Sequence, residues 1–334
     1  MATTVIGAFN DFLNNSVNLD PDQTKKARGS RDWLVGQIGS FPSKDEKFPD
    51  IYTEKNIFYG SLTRRTKKRP LDDIDMMICL KANGCTYSEY FDRIEMIVPE
   101  TASRFLEYRN DGTAILNSRK IINAFVLKLV DIPQYRSADI KRNLEAATLN
   151  LNSYDWVFDI VPCFFTTPEL DGRTYYIIPD GKGNWKKTDP RIDRDRLSAL
   201  NTSHDGNILN VIRSVKYWNK RATMPTMSSY LLENMIIEYY IGRTTKASKY
   251  ADIELVNVFL DLHTRVYNTI NDPKGIQGNI NNLSHEDKVK ISEKAYNDYV
   301  TAFNAREMEK RNDMRGSINK WREIFGNEFP KYEE

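Results

Sequence analysis

The sequence predicts an α+β fold in which a mixed-sheet lobe precedes a helical lobe, and three observations support this. Residues 56–66 are predicted to form a strand, a glycine turn and the start of a helix, and residues 73–80 an acid-bearing strand. Residues 156–166 form a further strand-like run that contains a single acid. From residue 189 the apolar spacing becomes helical and stays so. We therefore expect a bilobal chain with a sheet-bearing domain at 1–188, a helical domain at 189–330 and a functional site in the cleft.

The N-terminal domain is expected to begin with two helices and to continue into the sheet. Asp20, placed before Pro21, is typical of a helix cap, so the second helix starts there and ends near Ile38. The apolar spacing of 120–129 fits a strand or a helix equally well, and both stay open. The other predicted elements are a helix at 3–14, a loop at 39–55, a helix at 86–108, strands at 148–151 and 156–166, and a hairpin of 174–178 with 184–187.

The C-terminal domain shows the pattern of helices separated by short polar segments. One segment, 271–282, is rich in Asn and Gly and contains a Pro, which is typical of a loop. The predicted helices are 190–202, 206–220, 228–242, 249–270, 285–311 and 313–325.

Carboxylates of the predicted sheet are the candidate catalytic groups. Asp73 and Asp75 lie two residues apart on one strand, so their side chains share a face. Asp159 is the candidate third acid, from another strand. Mg²⁺ prefers oxygen ligands and usually binds through one or two carboxylates plus substrate phosphates. The pattern predicts two Mg²⁺ ions held by these three acids, with Mn²⁺ as a substitute; pairing Asp72 with Asp75 is the alternative on the first strand.

A glycine and a serine precede these acids. Gly60 ends the first strand-like run, where a residue without a side chain lets the backbone approach a ligand closely. Ser61 would open a helix and offer its hydroxyl and the helix N–H groups to a phosphate. The basic run 64–69 follows directly and would add positive charge beside the site. Gly60 and Ser61 are therefore candidate nucleotide-binding residues.

This combination resembles a known superfamily. Gly60-Ser61, then Asp73-Ile74-Asp75, and later an acid in a strand reading Phe-Asp-Ile-Val-Pro resemble the DNA polymerase β-like nucleotidyltransferases. More narrowly, they resemble the CD-NTases, bacterial enzymes related to cyclic GMP-AMP synthase and oligoadenylate synthase. The resemblance implies a metal-dependent enzyme that joins ribonucleoside triphosphates into a cyclic di- or trinucleotide and releases pyrophosphate, in anti-phage defence (CBASS). It also implies an operon-encoded effector that responds to the product.

The helical domain contains two further matches to this family. Lys216 is followed by aromatic residues and an asparagine, and the resemblance implies that it contacts the triphosphate of the donor nucleotide. Ser229 and Tyr230 resemble the pair that opens the next family helix, which implies a phosphate contact for the serine and base stacking for the tyrosine. A lysine is a mobile point charge suited to phosphate, and stacking on an aromatic ring accepts any base.

Composition limits the class of protein. The 334 residues are 40% hydrophobic with a net charge of +2, so nothing in the charge balance calls for a nucleic-acid partner. The sequence shows neither an apolar stretch near the ~20 residues of a membrane span nor a signal peptide. Its three cysteines, without a CxxC pair, are typical of a reducing compartment and disfavour a zinc site. We expect a cytoplasmic monomer with nucleoside triphosphates as substrates.

Two other readings remain open. The first is a linear oligonucleotide synthase, or an RNA- or protein-modifying nucleotidyltransferase of the same superfamily; the low net charge and the lack of a separate basic module disfavour the RNA role. The second is a non-catalytic nucleotide sensor, which the presence of all three acids disfavours. Products formed from free nucleotides, with no polymer added, would separate these functions.

Overall fold

The strands of the computed structural model, which describes residues 2–333, form one mixed sheet. They are β1 Ile57–Phe58, β2 Asp73–Cys79, β3 Thr86–Glu89, β4 Ile94–Ile97, β5 Asp139–Asn143, β6 Ala146–Asn150, β7 Val157–Phe165, β8 Tyr176–Pro179 and β9 Trp185–Thr188. Within the described residues their order is β1-β2-β7-β8-β9-β4-β3, and the β5–β6 hairpin joins through β6 to β7. The β2–β7 pair is parallel, whereas β1 pairs antiparallel with β2.

Helices accompany this sheet, so the predicted α+β fold class is confirmed. They are α1 Val5–Phe12, α2 Pro21–Gly39, α3 Phe41–Lys44, α4 Gly60–Thr63, α5 Ser118–Val130, α6 Pro190–Ser203, α7 Ile208–Asn219, α8 Ser229–Ile241, α9 Ala251–Arg265, α10 His285–Lys310 and α11 Met314–Phe325. From α6 onward the chain is helical, as the apolar spacing predicts. Between residues 2 and 333, no helix is both long and apolar enough to cross a membrane.

Two segments of the N-terminal half fold differently from their simplest sequence interpretation. The prediction of a helix at 86–108 is wrong, since strands β3 and β4 occupy its first part and a 3₁₀ turn at Ser103–Tyr108 its last. The physical reason is a two-residue period: Ile94 and Met96 are buried and the residues after each are not. The ambiguous segment 120–129 lies in helix α5, which Asn117 caps through its side chain.

The described chain divides into two compact units. The sheet unit comprises residues 22–63 and 71–191, and the helical unit comprises 2–21, 64–70 and 192–333. The helical unit therefore takes in two segments from the predicted 1–188 domain. Each unit has a buried core of its own, which includes the paired strands β2 and β7 in the sheet unit and helices α7 to α11 in the helical unit.

Candidate active site

Three carboxylates lie on one face of the β2–β7 strand pair. The parallel register sets Asp75 directly beside Asp159, and Asp73 precedes Asp75 by two residues on the same strand. All three acids are half-buried, whereas Ile74, between the first two, is buried on the opposite face. Asp72 is exposed and precedes the strand. The geometry therefore favours Asp73 and Asp75 over the alternative pairing of Asp72 with Asp75.

Gly60 lies against the carboxylate of Asp75. Its backbone has φ +72°, and a Cβ atom built there would meet the Asp75 Oδ2 at 1.7 Å. A contact that short excludes every other residue type unless Asp75 moves, so the glycine makes room for the acid. Gly60 and Ser61 begin the single turn α4 directly after β1. The sheet unit thus brings Gly60, Ser61 and the acids together.

Thr148 is a site residue that the sequence reasoning missed. It lies opposite Asp159 in the antiparallel β6–β7 register, and its hydroxyl donates a hydrogen bond of 2.9 Å to the Asp159 Oδ1. This bond orients one carboxylate oxygen and leaves Oδ2 directed elsewhere. The alternation of apolar and polar residues around Thr148 indicates a strand with Thr148 on its polar face. Its partner, Asp159, becomes known only from the pairing of β6 with β7.

The carboxylates of the site affect the pKa of a neighbouring residue, Tyr59. Burial raises the pKa of the Tyr59 hydroxyl well above its usual range, and the charges of Asp75 and Asp159 raise it further. Tyr59 therefore stays protonated, and its hydroxyl can donate a hydrogen bond.

The donor set fits a hard divalent cation only in part. Within residues 2–333, no group of three or more His, Cys, Asp or Glu side chains is gathered closely enough to hold a metal by itself. Asp75 and Asp159 are nevertheless neighbours across the sheet, with Asp73 on the same face. Because Mg²⁺ commonly binds through one or two carboxylates and completes its shell with waters and substrate phosphates, these residues fit that cation in the presence of a nucleotide.

Two pockets of the sheet unit differ in what surrounds them. One, of about 220 Å³, is lined by Tyr59, Glu145 and Asp159 among others. The other, of about 400 Å³, is lined by Trp33 and Tyr154 among others and by none of the predicted site residues. The smaller pocket is the candidate part of the active site, because Asp159 lines it. Its volume is below the roughly 300–1,000 Å³ of typical ligand pockets, so a nucleotide would extend beyond it.

Lys216, in the last turn of α7, has a carboxylate partner. Its Nζ donates to the Glu233 Oε1 at 2.6 Å, and Glu233 also accepts from Arg64 Nη2 at 3.0 Å. Burial lowers the pKa of Lys216, Glu233 opposes that shift, and the like charges of Arg64 and Lys67 add to it. Burial alone would raise the pKa of Glu233, but Arg64 and Lys216 hold it below its usual range. Glu233 is therefore shared by two cations, and Arg64 also feels the charge of Asp193.

Ser229 and Tyr230 open helix α8, as predicted. Ser228 is the cap, and its hydroxyl accepts from the Leu231 N–H at 3.2 Å. Ser229 and Tyr230 therefore occupy the first turn, where backbone N–H groups point towards the helix start. Burial raises the pKa of the Tyr230 hydroxyl, and the charge of Asp193 raises it further. Lys216, Ser229 and Tyr230 all belong to the helical unit.

The chain is similar to known proteins along its whole length. It is 45% identical over 336 residues to a probable cyclic nucleotide synthase of Bacillus cereus strain VD146, and the match covers 100% of both chains. It is 26% identical to the cyclic AMP-AMP-GMP synthase of Enterobacter hormaechei, over 96% of this chain and 91% of the relative. No family model matches the chain.

A solved structure is similar in fold. The E. coli MS115-1 CdnC structure with ATP superimposes with a TM-score of 0.68, covering 97% of this chain and 98% of CdnC, at 17% sequence identity. At that identity the likeness concerns the fold alone. It agrees with the predicted α+β fold class.

Proposed function

Because the chain belongs to the CD-NTase family of nucleotidyltransferases, we propose that it joins ribonucleoside triphosphates into a cyclic di- or trinucleotide and releases pyrophosphate. The observation that carries the proposal is the parallel register that sets Asp75 beside Asp159, with Asp73 on the same face. Gly60 supports it, because the glycine makes room for the Asp75 carboxylate. A protein that only sensed nucleotides would not need this glycine or this group of acids.

The chain's own residues supply positioning and charge. Asp73, Asp75 and Asp159 would hold two Mg²⁺ ions, or Mn²⁺ in their place, which neutralise triphosphate charge and make the acceptor ribose hydroxyl more acidic. The Thr148 hydrogen bond fixes Oδ1 of Asp159, so Oδ2 is the oxygen that would take the hydroxyl proton. The hydroxyl oxygen bonds to the α-phosphorus, the bond to the bridging oxygen breaks, and pyrophosphate leaves. A second such step on the linear intermediate closes the ring.

We assign nucleotide contacts to each unit by itself. In the sheet unit the hydroxyl of Ser61 would meet phosphate oxygens, and in the helical unit Ser229 would do so from the first turn of α8. Tyr230 would stack on the base, an interaction worth about 1–3 kcal/mol. Lys216, which shares Glu233 with Arg64, would supply positive charge to the triphosphate.

Product analysis with one matched pair of variants tests the proposal. Wild type, Asp73→Asn and Asp72→Asn are incubated with the four ribonucleoside triphosphates and Mg²⁺ or Mn²⁺, treated with phosphatase and analysed by mass spectrometry. We expect phosphatase-resistant cyclic products from wild type and from Asp72→Asn, whose exposed acid precedes the strand. Asp73→Asn should lose at least about 10²-fold in rate. A rate for Asp73→Asn within about tenfold of wild type would refute the assignment of the acids.

The same experiment addresses the alternatives. Linear products would favour an oligoadenylate-type synthase, and binding without turnover would favour a sensor. We further propose that the product activates an operon-encoded effector in CBASS defence against phage. Cells that carry the complete operon should then resist phage, and Asp73→Asn should abolish that resistance; equal plaque counts with wild type and variant would refute the defence role.

A further inference from the structure

The phenol of Tyr230 is anchored by three charged side chains from two separate segments of the helical unit. We propose that Asp193, Asp272 and Lys274 form a clamp that fixes the ring for stacking on the donor base, with Lys274 as a positioning residue. The inference rests on the proposed function, since it assigns a purpose to the ring that the family resemblance places against a base. It adds the loop that follows α9 to the nucleotide site.

All three charged side chains of the clamp lie within hydrogen-bond distance of the Tyr230 hydroxyl. The Tyr230 hydroxyl lies 2.8 Å from the Asp193 Oδ1 and 3.0 Å from the Asp272 Oδ1, and it accepts from the Lys274 ammonium. A phenol has one hydrogen to donate, so it bonds one carboxylate at a time while Lys274 occupies a lone pair. The Lys274 Nζ also lies 2.7 Å from Asp272 and 3.4 Å from Asp193. The lysine therefore ties both acids to the phenol oxygen.

The loop at 271–279 holds Lys274 in place. Asp272 closes it, since its N–H donates to the Gly278 carbonyl at 2.7 Å and its Oδ2 accepts from the Gln277 N–H at 3.1 Å. A bridge between Asn271 and Asn279 joins the two ends. The segment that composition marks as a loop is thus a closed turn with a fixed lysine at its tip.

Burial distinguishes this cluster from an ordinary surface ion pair. The exposed fractions of the side chains are 0% for Asp272, 6% for Lys274 and 10% for Asp193. Removing three charges from water is costly unless each is paired, and the pairing here converges on a tyrosine oxygen. A helix start and a loop need no such cluster to fold, so we ascribe it to holding the ring.

The contacts meet the ring at its oxygen end. The Lys274 Nζ also lies over the ring, 4.3 Å from its centroid, so the anchor holds the phenol oxygen and one face of the ring and thereby fixes its tilt. A base would stack on the opposite face. A tilted ring overlaps the base less well and takes no part in bond breaking, so loss of the clamp should reduce affinity for the nucleotide more than it slows the chemistry.

A double-mutant cycle tests the clamp. The variants are Tyr230→Phe, Lys274→Met and their combination, with Lys246→Met as the control because Lys246 pairs with Asp205 in an exposed position. We expect each single variant to raise KM for the triphosphate by about five- to twentyfold, because a ring that is no longer held stacks less well on the base, with a smaller change in kcat. The KM of the double variant should be no higher than that of the more impaired single variant, because both changes remove the same hydrogen bond. Unchanged KM values, or additive losses, would overturn the inference.

Direct binding separates this inference from the proposed function. Calorimetry with a non-hydrolysable ATP analogue measures affinity whether or not a cyclic product forms. Reduced affinity in both variants supports the clamp even if wild type makes only linear products, and unchanged affinity overturns the clamp even if wild type makes a cyclic one. Wild type that binds no nucleotide would overturn both. Tyr230→Phe removes only a hydroxyl, so it keeps the test valid if melting curves show Lys274→Met to be unfolded.

Discussion

Glu233 is expected to be the most sensitive single position for stability in the helical unit. Its side chain is almost fully buried, and its carboxylate contacts both Arg64 and Lys216. Glu233→Gln keeps the volume and an acceptor oxygen but removes the negative charge that Arg64 and Lys216 both contact. Breaking a buried ion pair by removing one partner costs about 3–5 kcal/mol. At about 2–4 °C per kcal/mol, the melting temperature should fall by roughly 6–20 °C.

The matched control lies on the same helix. Glu238 pairs with Arg265 at 3.4 Å, with both side chains partly exposed, so Glu238→Gln should cost no more than about 1 kcal/mol. Adding Lys216→Met to Glu233→Gln removes one stranded cation and should recover part of the loss. Thermal and urea unfolding of the four proteins measure these differences. A loss for Glu233→Gln no larger than that of the control, or a double variant less stable than the single one, would refute the argument.

The pH dependence follows from the same contacts. The pKa of Glu233 is below its usual value of 4.5 in the folded chain, so its contribution is fully present above pH 4.5 and is lost as the pH falls through the folded-state pKa. The stability gap between wild type and Glu233→Gln should therefore be constant near neutral pH and narrow below pH 4.5. A gap that widened on acidification would contradict the sign of this shift.

Two further predictions concern the acids of the sheet unit. Gly60→Ala should reduce activity by at least about tenfold because its methyl group meets Asp75, whereas Gly112→Ala, with a similar φ of +72° and open space, should keep full activity in a steady-state assay. Thr148→Val should lower kcat by about tenfold with little change in melting temperature, because it removes the hydrogen bond that orients the Asp159 Oδ1. An unchanged kcat would show that this bond does not matter for the reaction.

The sequence predicts those features of the site that depend on residues close together in the chain, and it misses those that depend on which strands pair. Asp73 and Asp75 are two residues apart, so a two-residue period is sufficient to place them on one face. The contact of Thr148 with Asp159 depends on which strands pair, and that is decided by the tertiary fold. The Glu233 partner of Lys216 could have been suspected, since a lone acid inside the apolar run Leu231–Ile237 is costly to bury unless it is paired.

The segment 86–108, where the helix prediction is wrong, also depends on tertiary contacts. Its charged and apolar residues fit a helical spacing loosely, but the observed strands β3 and β4 pair with each other and β4 pairs with β9. Strand formation there depends on a partner about ninety residues later, which a window of local residues cannot include. The segment at 120–129 resolved to a helix because Asn117 supplies a cap, a signal that lies just outside the ambiguous window.

Metal binding should depend on the nucleotide. Within the described residues no three ligating side chains are gathered, while Asp75 and Asp159 lie side by side, so the protein alone offers an incomplete shell. Phosphate oxygens would complete it, and by linkage the metal and the nucleotide must strengthen each other's binding by the same factor, typically about 5–150-fold. Calorimetric titration with Mn²⁺, with and without a non-hydrolysable triphosphate, measures that factor. Tight binding of two ions by the free protein, unaffected by nucleotide, would contradict it, and in Asp73→Asn the coupling should disappear while the fold remains.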